Sequence, residues 1–134
     1  GFETTGVDLS ELALNQAGKR SEAIPALVFS RGNFLEDEPQ EPYDLIFEHT
    51  LYCAIDPARR DEYAKAVTRW LKPGGYFLAI HFIFPLTKEG PPFGASWEEI
   101  IDRFSDRFDL IEEWEPRNFE GREREERMFY WKRK

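Results

Sequence analysis

Apolar and polar positions alternate in blocks along the chain, and most blocks have the length and spacing of one secondary-structure element. Short apolar runs bounded by turn residues predict strands at 4–8, 26–29, 43–48, 76–84, 108–114 and 127–132. Apolar residues at helical spacing predict helices at 10–18, 57–71 and 96–104, and the first and third of these begin at a serine that suits an N-cap. Strand and helix therefore alternate over most of the chain, and only a charged loop separates the last two strands.

The inner strands are apolar on both faces, a pattern typical of a parallel sheet that helices cover on each side. We therefore expect an α/β fold with a doubly wound, mostly parallel sheet. In it, 76–84 is the central strand and the last two strands form an antiparallel hairpin at one edge. The acidic stretch 36–42, which contains prolines, predicts an exposed loop. Ligands of such sheets bind at the carboxyl ends of the strands, so the residues there are the candidates for a site.

Composition narrows the possible functions. The chain has 134 residues and a formal net charge of −8, which fits one domain and argues against a nucleic-acid groove, because phosphate binding needs clustered positive charge. No apolar run approaches the ~20 residues of a membrane span. A single cysteine, Cys53, and two histidines argue against a disulfide framework and a zinc site. We expect a cytoplasmic protein that handles a small molecule or a protein partner, without metal, nucleic acid or membrane.

Asp8 ends the first predicted strand, directly before a helix N-cap. A carboxylate at this place in a nucleotide-binding α/β fold accepts hydrogen bonds from the vicinal hydroxyls of a ribose. The alternative is an acid that only stabilises the N-terminal end of the helix dipole. Its position at the end of a strand favours the ribose interpretation.

Asn33 and Phe34 follow the second strand, and His49 follows the third. Asn33 beside Phe34 offers polar groups and a ring to an adenine, although a tight turn with a core phenylalanine explains the local sequence better. His49 is either a base or cofactor contact, or a hydrogen-bonded packing residue, which is the commoner role of a lone histidine. Phe93 lies in the stiff loop 90–93, which forms either a pocket wall or an ordinary connection.

Two further side-chain types have both a functional and a structural interpretation. Arg117 and Arg122 lie in a charged stretch, where they either bind an anionic substrate group or belong to a solvated face that glutamates neutralise. The apolar surroundings of Cys53 predict core or pocket lining rather than an activated thiolate.

Several short motifs together resemble class I S-adenosylmethionine-dependent methyltransferases. In chain order they are Val7–Leu14, Gly32–Phe34, Tyr43–Glu48 and Leu71–Gly75 before an apolar strand. A second set resembles the thiopurine S-methyltransferase family, which includes the plant-type halide and thiol methyltransferases. This set comprises Cys53-Ala54-Ile55, Pro57, Arg60, Tyr63, Ala64, Phe84-Pro85 and Gly90-Pro91-Pro92-Phe93. The resemblance extends over essentially the whole chain.

The resemblance implies a Rossmann-like fold and the transfer of a methyl group from S-adenosyl-L-methionine to a small, soft nucleophile, namely a thiol, a thiopurine, bisulfide or a halide. Asp8 matches the acidic residue on the cofactor ribose, and Leu9 lies beside the adenine. Asn33 and Phe34 match the pair at the adenine. His49 falls where the thiopurine branch has an arginine near cofactor and substrate, and where plant-type members have a tyrosine.

The resemblance also implies substrate-binding roles for two more residues. Phe93 belongs to the loop that walls the substrate pocket, and Arg122 matches an arginine close to the substrate. The catalytic residues stay unknown, because displacement at a sulfonium needs mainly positioning and desolvation of the nucleophile, and a dedicated base is optional.

Members of the family have a further strand and a glycine-rich loop before the segment that matches Gly1. We therefore expect residues 1–134 to form a single methyltransferase-like domain, the C-terminal two-thirds of a longer one. The absent strand would lie between the strands that end at Asp8 and Glu48. The full-length protein is expected to be a monomer, whereas the fragment, with unpaired strand edges, is open to self-association and to weak cofactor binding.

Two other classes of function remain open. A methyltransferase-like module without catalysis would serve as a partner-binding scaffold. Another nucleotide-binding α/β enzyme, such as an NAD-dependent dehydrogenase, would share the fold, since fold alone does not determine function. The loop 90–93 and the predicted hairpin favour a methyltransferase over a dehydrogenase.

Overall fold

The computed structural model describes residues 1–86, 89–117 and 125–134. The strands in these ranges are β1 Thr4–Asp8, β2 Leu27–Arg31, β3 Tyr43–His49, β4 Leu71–Phe82, β5 Phe108–Trp114 and β6 Glu126–Arg133. The helices are α1 Glu11–Arg20, α2 Arg60–Trp70 and α3 Trp97–Phe104, and a turn of 3-10 helix at Pro57–Arg59 leads into α2. Among the described residues, no helix is both long and apolar enough to cross a membrane.

Residues Gly1–Glu38 form one compact unit, in which β1 and β2 are parallel and α1 connects them. The N-cap of α1 is Ser10, as the sequence predicts, and its hydroxyl accepts a hydrogen bond from the backbone N–H of Ala13 at 3.2 Å. Gly6 lies opposite Phe29, and a Cβ at Gly6 would approach that ring to 2.7 Å. A larger residue at Gly6 would therefore displace the ring of Phe29, which lies over this position.

Residues Pro39–Lys134 form a second compact unit around a four-stranded sheet with the order β3-β4-β6-β5. Strand β3 is parallel to β4, whereas β6 is antiparallel to both β4 and β5. The predicted antiparallel hairpin of the last two strands is confirmed, and β4 has a strand on each side as predicted for a central strand. Because β6 is antiparallel to both of its neighbours, this sheet is mixed.

Helices α2 and α3 bury aromatic side chains together with the sheet of the second unit. The ring of Phe104 on α3 lies 5.5 Å from that of Phe77 on β4 and 5.8 Å from that of Trp131 on β6. Fully or almost fully buried are Tyr63, Val67, Leu71, Phe77, Ile100, Phe104, Phe108, Phe129 and Trp131. This core supports the carboxyl ends of β3 and β4, because the same strands continue from the core to that edge.

Two details of the sheet differ from the sequence prediction. Residues 72–75 were expected only to end a helix, but β4 begins at Leu71, and a register shift between Tyr43 and Leu45 accommodates the extra residues. Strand β3 was expected to be apolar and buried on both faces, yet Phe47 is 60 % exposed and Glu48 is buried. The acidic loop 36–42 is largely exposed, as predicted.

The two compact units do not test the expectation that residues 1–134 form one domain, which stays a prediction. The strand that we expect between those ending at Asp8 and Glu48 also stays a prediction. Within the described residues, β1 pairs only with β2, and β3 is an edge strand of its sheet.

Candidate functional site

Glu48 organises the turn that follows β3. Its side chain is buried, and Oε1 accepts hydrogen bonds from the backbone N–H groups of Leu51 at 2.6 Å and Tyr52 at 3.2 Å. The hydroxyl of Tyr63 on α2 donates to Oε2 at 3.1 Å. Thr50 within this turn has a φ of 76°, which is unfavourable for a β-branched residue. The hydrogen bonds to Glu48 thus hold a strained backbone at the end of the strand.

His81 on β4 lies next to Glu48, with Nδ1 3.7 Å from Oε2. Neither ring nitrogen of His81 has a hydrogen-bond partner among the described residues. Burial lowers the pKa of His81 to about 3, with a smaller contribution from the positive charge of Arg60. Burial also raises the pKa of Glu48, although its backbone hydrogen bonds oppose that shift. The low-polarity surroundings therefore favour the neutral forms of both side chains.

His49 and Glu126 meet at the edge where β3 ends and β6 begins. His49 Nε2 lies 3.0 Å from Glu126 Oε1, and the side chains are 26 % and 2 % exposed, respectively. The sequence predicted His49 as a site residue but missed Glu126, which belongs to a charged stretch interpreted as a loop. Only the antiparallel pairing of β6 with β4, in which Glu126 lies opposite Phe82, places this carboxylate at the carboxyl end of β3.

Arg60 holds the segment after β4 in place. The side chain is buried, and Nη1 donates to both carboxylate oxygens of Glu99 on α3, at 2.9 and 3.2 Å. Nη2 donates to the carbonyl oxygens of Phe93 and Gly94 at 3.2 and 3.0 Å. The guanidinium carbon also lies 4.5 Å from the centre of the Tyr52 ring. One arginine thus connects α2 and α3 to the loop in which the sequence predicted a pocket wall.

The same loop is tied to the turn after β3. The N–H of Phe93 donates to the carbonyl oxygen of Cys53 at 2.7 Å, and the Tyr52 hydroxyl donates to Glu99 at 2.8 Å. Cys53 is buried and its thiol donates to the carbonyl of Thr50 at 3.4 Å, in agreement with its prediction as core or pocket lining. Sequence reasoning missed Tyr52 and Glu99, because nothing in the local sequence distinguishes them from ordinary turn and helix residues.

A cleft of about 420 Å³ opens at this edge of the sheet, and its size suits a small ligand. Its lining residues are Ile83, Trp97, Glu115, Glu126 and Arg127. Trp97 and Arg127 both donate to the carboxylate of Glu113, at 2.5 and 3.0 Å. Partial burial is the largest single influence and acts to raise the pKa of Glu113, but the two hydrogen bonds and the positive charge of Arg127 together outweigh it and lower the pKa. The positive charge of Arg127 is therefore shared with a neighbouring carboxylate.

In the first unit, Asp8 and Leu9 follow β1. Asp8 Oδ1 accepts a hydrogen bond from the N–H of Ser10 at 2.7 Å, whereas Oδ2 makes none within the described residues. Leu9 is 63 % exposed. The exposed carboxylate thus stands at the carboxyl end of a parallel strand, where the sequence predicted it, with one oxygen open to a ligand.

Asn33 and Phe34 follow β2 in the same unit. The backbone N–H of Asn33 donates to Asp37 at 2.6 Å, and Oδ1 of Asn33 accepts from the N–H of Leu35 at 3.2 Å. These bonds form a turn, so both polar groups have a local structural role, and only the side-chain NH₂ of Asn33 is left for a ligand. The N–H of Gly32 donates to the carbonyl of Asp8 at 3.1 Å, which brings the ends of β1 and β2 together.

The structure thus groups the predicted site residues by unit. Asp8, Leu9, Asn33 and Phe34 lie at the strand ends of residues 1–38, whereas His49 and Phe93 lie in residues 39–134. Arg122 lies outside the described residues. The roles expected for these side chains stay predictions.

Comparison with known proteins identifies relatives over nearly the whole chain. A family model described as thiopurine S-methyltransferase (TPMT) matches residues 1–132. Among curated proteins, probable thiol methyltransferase 2 of Arabidopsis thaliana is 35 % identical over 97 residues, which cover 70 % of this chain and 43 % of that protein. Thiocyanate methyltransferase 1 of Brassica oleracea is 30 % identical over 136 residues, which cover 96 % of this chain and 59 % of that protein. The chain therefore spans about half the length of these relatives.

Solved structures share the fold at low sequence identity. N-methyltransferase NodS of Bradyrhizobium japonicum WM9, in complex with S-adenosyl-L-homocysteine, superimposes with a TM-score of 0.75 at 16 % identity. The superposition covers 96 % of this chain and 65 % of that one. The predicted α/β, Rossmann-like fold is thereby confirmed.

The substitution Arg60→Met tests the role of the buried arginine. It leaves Glu99 and two loop carbonyls without their charged donor, so we expect the free energy of unfolding to fall by about 3–5 kcal/mol. Urea denaturation measures this quantity. The matched control is Arg59→Met, because Arg59 is partly exposed and paired with Glu62, and its loss should stay within about 1 kcal/mol. Equal small losses in both variants would contradict the assigned role.

The substitution His81→Phe tests the buried neutral histidine. Its folded-state pKa of about 3 lies below the ordinary 6.5, so the unfolded state binds a proton that the folded state does not, and stability falls as pH falls through this window. Phenylalanine cannot titrate. As the pH falls from 7 to 4, wild type should therefore lose about 3 kcal/mol more unfolding free energy than the variant does.

Thermal and urea unfolding at a series of pH values measure the difference between the two proteins. Between pH 7 and pH 8 the difference should be constant, which serves as the internal control. A difference that does not change on acidification would show that His81 is protonated in the folded protein.

Proposed function

Since this chain belongs to the thiopurine S-methyltransferase family, we propose that the protein transfers a methyl group from S-adenosyl-L-methionine to a small, soft nucleophile. The nucleophile is a thiol, a thiopurine, bisulfide or a halide. The observation that carries the proposal is the exposed carboxylate of Asp8 at the carboxyl end of β1, whose Oδ2 makes no hydrogen bond within the described residues. That is the geometry a ribose diol requires of its acceptor.

The side chains of the first unit fit the adenosine part of the cofactor. Asp8 supplies a negatively charged acceptor for two hydroxyl donors. Leu9, which is 63 % exposed, and the half-buried Phe34 supply apolar surface for a purine ring, and Asn33 retains its NH₂ group as a donor. When bound, S-adenosyl-L-methionine supplies a methyl group on a sulfonium, which is an intrinsically good leaving group.

The side chains of the second unit suit the nucleophile. Phe93 contributes an apolar surface on a loop that Arg60 and Cys53 hold in place, and His49 contributes a polar group at the end of β3, next to cofactor and substrate in this proposal. Arg122 completes the proposed substrate contacts. Rigid positioning and exclusion of water are what a displacement reaction demands of a protein, and no triad of catalytic side chains is needed.

The names of the relatives support sulfur as the methylated atom. Probable thiol methyltransferase 2 and thiocyanate methyltransferase 1 are both named after sulfur nucleophiles. The proposal further includes a cytoplasmic location, which the single cysteine of the sequence supports, because one thiol cannot form a disulfide within the chain. It also includes a monomeric full-length enzyme with a small-molecule substrate and neither a nucleic-acid nor a membrane partner.

The substitution Asp8→Asn tests the cofactor site. Asparagine keeps an acceptor for the Ser10 N–H but removes the charge, so the dissociation constant for S-adenosyl-L-methionine should rise roughly 10- to 150-fold, the scale of a hydrogen bond to a charged group. Isothermal titration calorimetry of the full-length protein measures the constant. The control Glu22→Gln changes an exposed acid in the turn after α1 and should bind as wild type does.

An unchanged affinity in Asp8→Asn would show that this residue only stabilises the start of α1. Titration of the wild-type protein with a nicotinamide dinucleotide separates the proposal from a dehydrogenase. Binding of that compound and not of S-adenosyl-L-methionine would contradict the proposed function.

A further inference from the structure

The contact between His49 and Glu126 has the geometry of a proton-accepting pair. We infer that His49 accepts the proton of the nucleophile and that the substrate is therefore a neutral sulfur acid, a thiol or hydrogen sulfide, rather than an anion without a proton such as thiocyanate or a halide. The inference rests on the proposed methyl transfer and specifies its substrate class.

The orientation of the pair determines which ring nitrogen is the acceptor. Glu126 Oε1 lies 3.0 Å from His49 Nε2, and the Glu126 side chain is 2 % exposed. A buried carboxylate in this position accepts the Nε2–H, so the neutral ring carries its lone pair on Nδ1. His49 makes no other hydrogen bond to the residues that the structure describes, and its side chain is 26 % exposed. Nδ1 is therefore accessible as a base.

The carboxylate also stabilises the protonated ring. Once His49 gains a proton it is an imidazolium in contact with a negative charge at low exposure, which is the role of the carboxylate in serine hydrolase triads. The neighbouring ionisable groups are Glu48 on β3, His81 on β4, and Glu115 and Arg127 at the cleft. Arg127 is paired with Glu113, so its positive charge is already partly neutralised and attracts an anionic nucleophile less than a free arginine would.

The proton balance of the step requires such an acceptor. The S–H bond of the substrate breaks and its proton moves to His49 Nδ1. The sulfur lone pair forms the new S–C bond to the methyl group, while the electron pair of the breaking C–S bond returns to the sulfonium sulfur and neutralises it. An ordinary thiol has a pKa near 8.5 and is mostly protonated at neutral pH, so a base accelerates its reaction. Thiocyanate and halides carry no proton and gain nothing from the base.

Kinetics with two nucleophiles test the inference in the full-length enzyme. With S-adenosyl-L-methionine at pH 7, we expect wild type to have a higher kcat/KM for 2-mercaptoethanol than for thiocyanate. His49→Gln should lose roughly 10²- to 10⁴-fold in kcat/KM with 2-mercaptoethanol, the usual contribution of a general base, and little with thiocyanate. The loss should shrink as pH rises towards the pKa of the thiol, because thiolate then forms without the base.

The matched control is Asp44→Asn, which alters a carboxylate at the opposite end of β3, where it is exposed and paired with Lys72. It should leave both reactions unchanged. An equal loss for both nucleophiles in His49→Gln, or a wild-type preference for thiocyanate, would overturn the inference and leave the proposed function standing. The absence of methyl transfer to every nucleophile would instead overturn the proposed function.

A second measurement needs neither cofactor nor turnover, and it applies even if His49→Gln fails to fold. The chain has two histidines, so ¹⁵N NMR of the imidazole nitrogens resolves the His49 ring. We expect the Nε2–H tautomer in wild type and loss of that preference in Glu126→Gln. A dominant Nδ1–H tautomer in wild type would show that Nδ1 cannot be the base.

Discussion

The requirement that buried charge be compensated shapes the carboxyl edge of the larger sheet. Arg60 and Glu48 are both buried, and a charged or polar group at such depth destabilises the fold unless it has hydrogen-bond partners. The partners of Arg60 are the carboxylate of Glu99 and the carbonyls of Phe93 and Gly94. The partners of Glu48 are the N–H groups of Leu51 and Tyr52 and the hydroxyl of Tyr63. Electrostatic compensation in the core is thus the same interaction that holds the two loops at the candidate site.

The antiparallel strand β6 places the side chain of Glu126 at the carboxyl end of β3. The carboxyl ends of β3 and β4 meet the amino end of β6, and Glu126 at that end contacts His49. A histidine at a strand end has no defined tautomer until a partner occupies one nitrogen. The contact therefore changes the chemistry available to His49, because it separates a donating nitrogen from an accepting one.

The proposed chemistry depends more on the positions of the reactants than on many reactive side chains. The proposed displacement at a sulfonium needs an aligned nucleophile and little water. In the structure, the loop at Phe93 is held by the guanidinium of Arg60 and by the carbonyl of Cys53. Rigid loop contacts and a single proton acceptor would satisfy those needs. The proposed adenosine site depends chiefly on the carboxylate at the end of β1, whose Oδ1 accepts a hydrogen bond from the N–H of Ser10.

Local sequence was sufficient for the order of helices and strands, the C-terminal hairpin and the position of Asp8 at a strand end. It was also sufficient for the serine caps of α1 at Ser10 and of α3 at Ser96, whose hydroxyl accepts a hydrogen bond from the N–H of Glu99. These features depend on periodicity and on neighbours a few residues away. The inward orientation of Glu48 beside the exposed Phe47, the contact of Glu126 with His49 and the bonds from Arg60 to Glu99 came only from the folded chain. Each joins residues far apart in sequence through strand register and helix packing, and a one-residue change of register would turn the same side chains to the opposite face.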